Sequence, residues 1–345
     1  MIQLSQASPA RRILLGKGAL AELPAEVDRS GMTKVVLVTS STLAHSSQVV
    51  SQVELLLAGP HQATFTGVGQ HTPRSAVLQL EDLLEQTGAD GVVSLGGGSV
   101  IDGCKAAIHD RGANTIAHLA IPTTLSGAEF TASAGVTDDE SRRKQGQVDP
   151  ESAPQRVILD PAATLATPEN LWLSSGIRAL DHAVETLWAP EQDPLTSFLA
   201  QESIRRLLKF LAECKQRPDG LEARHGAQIA AWWAALGLAS TTMGPSHQLG
   251  RILGATFGIP HGITSCVFLP ATIDYFAANR PALVTPMVAP FGVSEASAVG
   301  PAVKAFIESL GLPTSLTAAG LDREELPHFL GLVPAEWHQI VNACR

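Results

Sequence analysis

Two groups of residues in this chain of 345 have types and spacing that could do chemistry. The first is Ser94-Leu95-Gly96-Gly97-Gly98-Ser99-Val100-Ile101-Asp102. It follows an apolar run, Gly91-Val92-Val93, that reads as a buried strand, and it precedes Gly103 to Ile108, which reads as a helix. Three consecutive glycines at a strand-to-helix turn let the backbone approach a ligand closely. The helix start adds unpaired N–H groups and a positive dipole end. Together these favour a pyrophosphate, with Asp102 placed in the first turn to hold the loop or to accept from a ribose hydroxyl. The second group is made of histidines and arginines. Arg178 and His182 stand at i and i+4 in a helical segment, so they share a face, and His247 and Arg251 repeat that spacing. His261 follows Pro260, which breaks one helix so that the histidine opens the next. A lone histidine in an apolar helix is ordinarily a satisfied core residue. Two His/Arg pairs at equal spacing, with a third histidine at a helix start, weaken that reading, although spacing alone does not bring them together.

The elements that must position these residues alternate in the first half of the chain. Lys34 to Thr39 reads as a strand, Ser75 to Glu85 has helical apolar spacing, Gly91 to Leu95 is a strand, Val100 to His109 a helix, and Thr115 to Ile121 a strand ending at Pro122. Such alternation argues for βαβ units around a parallel sheet, whose ligands sit at the carboxyl ends of the strands. The Gly96–Ser99 loop and the Pro122-Thr123-Thr124 turn both lie there. After Val157 to Pro161 the strand signals vanish and Ala-rich helical periodicity takes over. The expected organisation is an α/β dinucleotide-binding domain over 1–160 and an all-α domain over 161–345, with chemistry in the cleft between them.

Composition narrows the field. Apolar residues make up 45% of the chain and charged residues 17%, against a usual value of about 25%. That balance suits a compact, oligomeric enzyme. The net charge of −9, with no basic cluster, disfavours a nucleic-acid partner. Cys104, Cys214, Cys266 and Cys344 are far apart and form no CxxC pair, which fits a reducing compartment. Ile13-Leu14-Leu15 is too short for a signal peptide core. The longest apolar run, Ile229 to Ala239, falls well short of the roughly 20 residues that span a bilayer. A cytoplasmic protein with no membrane partner is expected.

Taken together, these residues resemble the iron-containing alcohol dehydrogenase superfamily, and within it the maleylacetate reductase branch. The resemblance runs from Leu15-Gly16-Lys17-Gly18 to about Pro270. It rests on Gly96 to Asp102 with Lys105, Pro122-Thr123-Thr124-Leu125-Ser126-Gly127-Ala128-Glu129, Asp160-Pro161, Gly176 with His182 to Glu185, and Ile259-Pro260-His261-Gly262. His71-Thr72-Pro73 matches a tripeptide of the reductase branch. The resemblance implies a homodimeric NAD- or NADP-dependent oxidoreductase, with hydride transfer between a dinucleotide-binding domain and a helical domain. It assigns cofactor binding to Ser40, Gly96, Gly97, Gly98, Ser99, Asp102, Thr123, Thr124, Ser126 and Lys144. Where the family often has an acidic residue for the adenosine 2′-hydroxyl, this chain has neutral Ser40, which leaves NADH and NADPH open.

The family's metal site uses one Asp and three histidines. The histidine positions fall on His182, His247 and His261, but the Asp position falls on Arg178, and a further family histidine is replaced by Arg251. A guanidinium cannot be a ligand. Two cations beside the histidines also repel a divalent ion, so the site is expected to lack a catalytic metal; any metal bound would use the three histidines. Arg178 and Arg251 are expected to recognise a small anionic enone or ketone and to stabilise an enolate, with His182 or His247 delivering a proton. An alternative leaves Arg178 paired with Asp181 and Glu185 on a solvated face. Glu129 and Glu185 are expected to brace helices. Two other readings of the whole chain stand beside the reductase. One is a non-redox lyase or cyclase resembling the superfamily's dehydroquinate synthases. The other is a non-catalytic protein, against which the intact glycine loop argues.

Overall fold

The computed structural model describes residues 12–112, 116–141, 143–238 and 241–345. Thr115 and Ala239, each part of a segment read from the sequence, lie outside them. The chain divides into two compact units. One runs to Pro168 and takes in Asp219–Gln228; the other comprises Glu169–Pro218 and Ile229–Arg345.

The first unit is built on a six-stranded sheet. Its strands are β1 (Arg12–Leu15), β2 (Val35–Val38), β3 (His61–Phe65), β4 (Gly91–Gly96), β5 (Ala117–Pro122) and β8 (Arg156–Leu159), in the order β1-β8-β5-β4-β2-β3. Every pairing in it is parallel. The inner strands β2, β4, β5 and β8 are largely buried because both faces of the sheet are covered there. In β2, Val35 and Leu37 enter one core with Leu95 and Ile121, while Val36 and Val38 enter the other with Val77, Leu80 and Val100. The crossovers carry α1 (Leu23–Arg29), α2 (Ser41–Ser46), α3 (Val49–Leu56), α4 (Arg74–Thr87) and α5 (Gly98–Asp110). Helix α4 buries Ala76, Val77, Leu80 and Leu84 at helical spacing and stops at Gly88, whose φ of 61° is left-handed. A separate antiparallel hairpin, β6 (Ser133–Thr137) with β7 (Lys144–Val148), has no strong signal in the sequence.

The second unit is helical. It contains α6 (Glu169–Trp188), α7 (Pro194–Gln216), most of α8 (Leu221–Leu238), α9 (Pro245–Phe257), α10 (His261–Asn279), α11 (Pro281–Phe291), α12 (Val299–Ser309), α13 (Leu326–Leu332) and α14 (His338–Ala343). Residues 172–188 of α6 are all buried, so its polar side chains have to find partners inside the protein. Asp193 and Thr196 form a reciprocal capping box at the start of α7. Gly258, at φ 72°, closes α9, and Pro260 precedes the first residue of α10, His261.

The division differs from the expected one at 160. Strand signals end at Leu159, but the next turns remain tied to the sheet. Asp160 accepts from the N–H groups of Leu20 and Ala162, and the Thr167 hydroxyl donates to the Thr123 carbonyl at 2.7 Å. Arg224, at the start of α8, donates to the Thr164 carbonyl and hydroxyl, which attaches that turn to the first unit. Among the described residues no single helix is long and apolar enough to cross a membrane.

Candidate active site

The first group of residues gathers at the carboxyl end of the sheet. Strand β3 lies outside β2, while β5 and β8 lie outside β4, so the winding reverses between β2 and β4, where ligands of such sheets bind. Ser40, just beyond β2, caps α2 by accepting from the N–H of Leu43. Gly96 ends β4 and Gly97 precedes α5, whose first N–H groups have no intrahelical partner. A Cβ on Gly97 would lie 2.9 Å from Cγ2 of Thr124, and one on Gly98 would lie 3.0 Å from Oγ of Ser126. The glycines therefore let the loop nest against the turn that follows β5, where the Thr123 N–H donates to the Gly96 carbonyl. This bare N–H cradle at a helix start fits a pyrophosphate.

Asp102 sits one turn deeper in α5 than the sequence suggests. Its carboxylate pairs with Lys105 at 2.9 Å and accepts from the N–H of Gly135, so it holds the β6–β7 hairpin to α5. Lys105 is fully buried and donates to the carbonyls of Ala128 and Ser133. Lys144 is half-buried on β7, its side chain lying over Gly135, which brings it to the same place as Asp102. His71 and Thr72, both in left-handed conformations at φ 62° and 54°, contact the same loop. The His71 N–H donates to the Ser99 hydroxyl and the Thr72 hydroxyl donates to the Ser99 carbonyl. Thr137 returns two bonds to His71 and Thr72. The sequence offers a signal for this brace only in the tripeptide 71–73.

The second group lies wholly in the helical unit. Arg178 is buried at 8% exposure, which excludes the solvated-face reading. Its Nη1 donates to Oδ2 of Asp181 at 3.4 Å and to the Ser265 hydroxyl at 3.0 Å, and its Nη2 donates to Nε2 of His247 at 2.5 Å. Asp181 Oδ2 also accepts from the hydroxyls of Ser246 and Ser265. The His182 and His247 rings lie 5.2 Å apart. His261 packs its ring on α9 at Gly254, where a Cβ would meet it at 3.1 Å. Arg251, by contrast, is exposed; it belongs to the rim of the cluster and not to a buried pocket. Glu185 is buried, and its carboxyl accepts from the N–H groups of Gly244 and His247, so it braces the start of α9 as expected.

Burial governs the protonation of this group. It holds His182 and His247 well below the ordinary imidazole value, helped by the Arg178 charge, so both rings are neutral at neutral pH. Burial and the nearby Asp181 raise Glu185 well above the carboxylate range. In the first unit burial lifts Glu129 to about 7.

Comparison with known proteins places this geometry. Residues 10–161 match the iron-containing alcohol dehydrogenase family and residues 172–338 match its C-terminal family. The chain belongs to the iron-containing alcohol dehydrogenase family. It is 33% identical to the maleylacetate reductase of Delftia acidovorans over 97% of this chain and 94% of that protein. It is also similar to the crystal structure of maleylacetate reductase from Agrobacterium tumefaciens. That match has a TM-score of 0.88 and 30% identity, and covers 99% and 97% of the two chains. The corresponding enzyme of Rhizobium sp. strain MTP-10005 matches with a TM-score of 0.88, 28% identity and coverage of 100% and 98%. This member of the family is an NAD(P)-dependent oxidoreductase with a parallel-sheet domain and a helical one.

The iron that gives the family its name does not fit the residues present. Among the described residues no three His, Cys, Asp or Glu side chains are grouped to hold a metal ion. The Nε2 lone pair of His247, one of the two ring nitrogens through which a histidine binds a metal, faces a guanidinium. Among the described residues His182, His247 and His261 do not form such a group. Ser246, Ser265 and Asp181, which anchor Arg178, were missed as a set: Ser265 is 87 residues distant in sequence and carries no local signal.

Proposed function

We propose that the chain reduces a small, unsaturated, carboxylate-bearing ketone of the maleylacetate type with NADH or NADPH, and does so without a catalytic metal. The observation that carries this reading is the part-buried Arg178–His247 contact, which puts a permanent cation among the histidines. The curated relatives named maleylacetate reductase support the substrate class. The bound nicotinamide supplies a hydride. The chain's own residues do the rest. The Gly96–Ser99 loop and the start of α5 hold the pyrophosphate, and Thr123, Thr124 and Ser126 shape that loop. Asp102 and Lys144 flank it. Arg251, exposed on the face that His247 shares, recognises a substrate carboxylate with its planar fork. The positive field of Arg178 and Arg251 favours negative charge developing on the substrate oxygen. Neutral His182 and His247 lack the extra proton of an acid, so half-buried His261 passes the proton in from solvent. The four buried thiols suit a reducing, cytoplasmic setting, and a homodimer is the assembly we expect.

The test is direct. Purified protein is assayed at 340 nm with maleylacetate and each reduced cofactor, and separately with NAD⁺ and a series of primary alcohols. Turnover of maleylacetate in preference to alcohols is the expected result. Alcohol oxidation with no consumption of either reduced cofactor by maleylacetate would overturn the assignment.

A further inference from the structure

We propose that Arg178 is an internal cation that stands where a metal would: its guanidinium fixes the His247 ring through Nε2 and closes that lone pair to metal ions. This deepens the reductase reading, on which its kinetic arm alone rests. It also separates the two arginines, which the sequence treats as equivalent.

The geometry carries the argument. The hydrogen bonds of Arg178 to Asp181, Ser265 and His247 come from three helices. Asp181 is on its own helix, α6; His247 is on α9; Ser265 is on α10. Asp181 is pinned in turn by Ser246 from α9 and Ser265 from α10, both through Oδ2. A guanidinium held at both Nη atoms cannot swing out to grip a substrate carboxylate bidentately. It would have to break a buried contact with Asp181 or His247 to do so. It acts by its fixed positive field and through the ring of His247.

His247 is held at two places, its backbone and its ring. Its backbone N–H donates to Glu185 Oε1 at 3.1 Å, and its Nε2 accepts from Arg178. With Nε2 as acceptor, the ring proton sits on Nδ1, on the side of Glu185 Oε2, which lies 4.0 Å away. The adjacent His182 ring packs on this fixed partner at 5.2 Å. The arrangement copies two features of a metal centre, a localised positive charge and an oriented imidazole, and needs no exchangeable ion. Gly250 lies beside it and makes room for Thr264, whose Oγ1 a Cβ there would meet at 2.6 Å.

The experiment compares the wild-type full chain with Arg178→Gln and with the double variant Arg178→Gln/Asp181→Asn. The double variant leaves no unpaired buried carboxylate and keeps the test usable if the single one folds poorly. The first readout is nitrogen NMR of histidine-labelled protein. The wild type should show His247 as the Nδ1–H form with Nε2 accepting, and both variants should lose that signature. The second readout is zinc content after dialysis against Zn²⁺. The wild type should take up none at the histidines, whereas a variant should take up close to one equivalent, removed again by a further His247→Ala change. The third is kinetics on maleylacetate. Arg178→Ala should lower kcat at least tenfold, leave KM within threefold, and regain activity with millimolar guanidinium. An unaltered His247 signature in the variants, or stoichiometric wild-type zinc that His247→Ala abolishes, would overturn the proposal. So would a rise in KM at constant kcat for Arg178→Ala. Should the wild type fail to turn over maleylacetate, the reductase reading falls, while the NMR and zinc readouts still decide the role of Arg178.

Discussion

Arg178 and Arg251 both look like substrate anchors in the sequence, because residue type and helical spacing are the same for each. Burial separates them. Arg178 spends its donors on Asp181, Ser265 and His247, while Arg251 stays exposed beside them. Replacing Arg251 by Lys keeps the charge and removes the fork. The expected outcome in steady-state kinetics is a KM for maleylacetate raised about tenfold, with the NADH dissociation constant changed by less than about threefold. An unchanged KM would remove Arg251 from substrate recognition. A second residue, His118, tests burial away from the site. Its Nδ1 faces the Ser152 carbonyl and its Nε2 the Ser94 hydroxyl, and burial lowers its pKa to about 3. The unfolded chain titrates this group near 6.5, so the stability of the neutral folded form is fully present above pH 6.5. It is lost as the pH falls from there toward 3. Urea unfolding of His118→Gln should show a slope flatter by about 1.4 kcal/mol per pH unit between pH 6 and 4. An identical slope would mean that His118 gains its proton while folded.

At the level of elements, the strand–glycine–helix turn was legible because each piece announces itself: an apolar run, three glycines, then helical periodicity. What the glycines do was only half legible. Their missing Cβ atoms admit Thr124 and Ser126 as well as a ligand, and those contacts come from another loop. Gly97→Ala should therefore weaken NADH binding at least tenfold by displacing Thr124, and adding Thr124→Ser should recover part of the loss. Fluorescence titration of both variants checks this; equal affinities for Gly97→Ala and wild type would refute it. The β6–β7 hairpin was not legible, since Lys144 to Val148 is polar and pairs with β6, which Asp102 and Lys105 of α5 hold at Gly135 and Ser133. Beside it, Glu129 lies in a short turn with its pKa raised to about 7. A folded carboxyl that holds its proton longer than the unfolded one loses stability as the pH rises from about 4.5 through 7. Glu129→Gln should thus be more stable than wild type at pH 8, by on the order of 2 kcal/mol, and no more stable at pH 4.5. Thermal melts at the two pH values settle it.

For the molecule as a whole, the fold class followed from the change of periodicity near residue 160, and the family from the order of several weak motifs. The convergence of Arg178, Asp181, Ser246, His247 and Ser265 did not follow, because helix packing brings together residues up to 87 positions apart. The metal question belongs at this scale too, since it concerns the holoenzyme as purified. Prolonged chelation should leave kcat within about twofold, a change of under 0.5 kcal/mol, and elemental analysis should find well under one equivalent of iron or zinc. Activity that collapses on chelation and returns with a divalent ion would contradict the reading of Arg178.

Helix α8 has a consequence for how the protein is made. Its first residues belong with the sheet, where Arg224 reaches Thr164, yet roughly fifty residues of the helical unit are translated before them. At about 5–20 residues per second, the ribosome emits the sheet several seconds before its last piece arrives. During that interval the nascent sheet lacks the donor for the Thr164 carbonyl, so in the full chain Arg224→Ala should make the turn at Thr164 more easily cleaved by protease. The sheet unit is completed by chain translated after part of the helical unit, which makes the order of synthesis and the order of folding different.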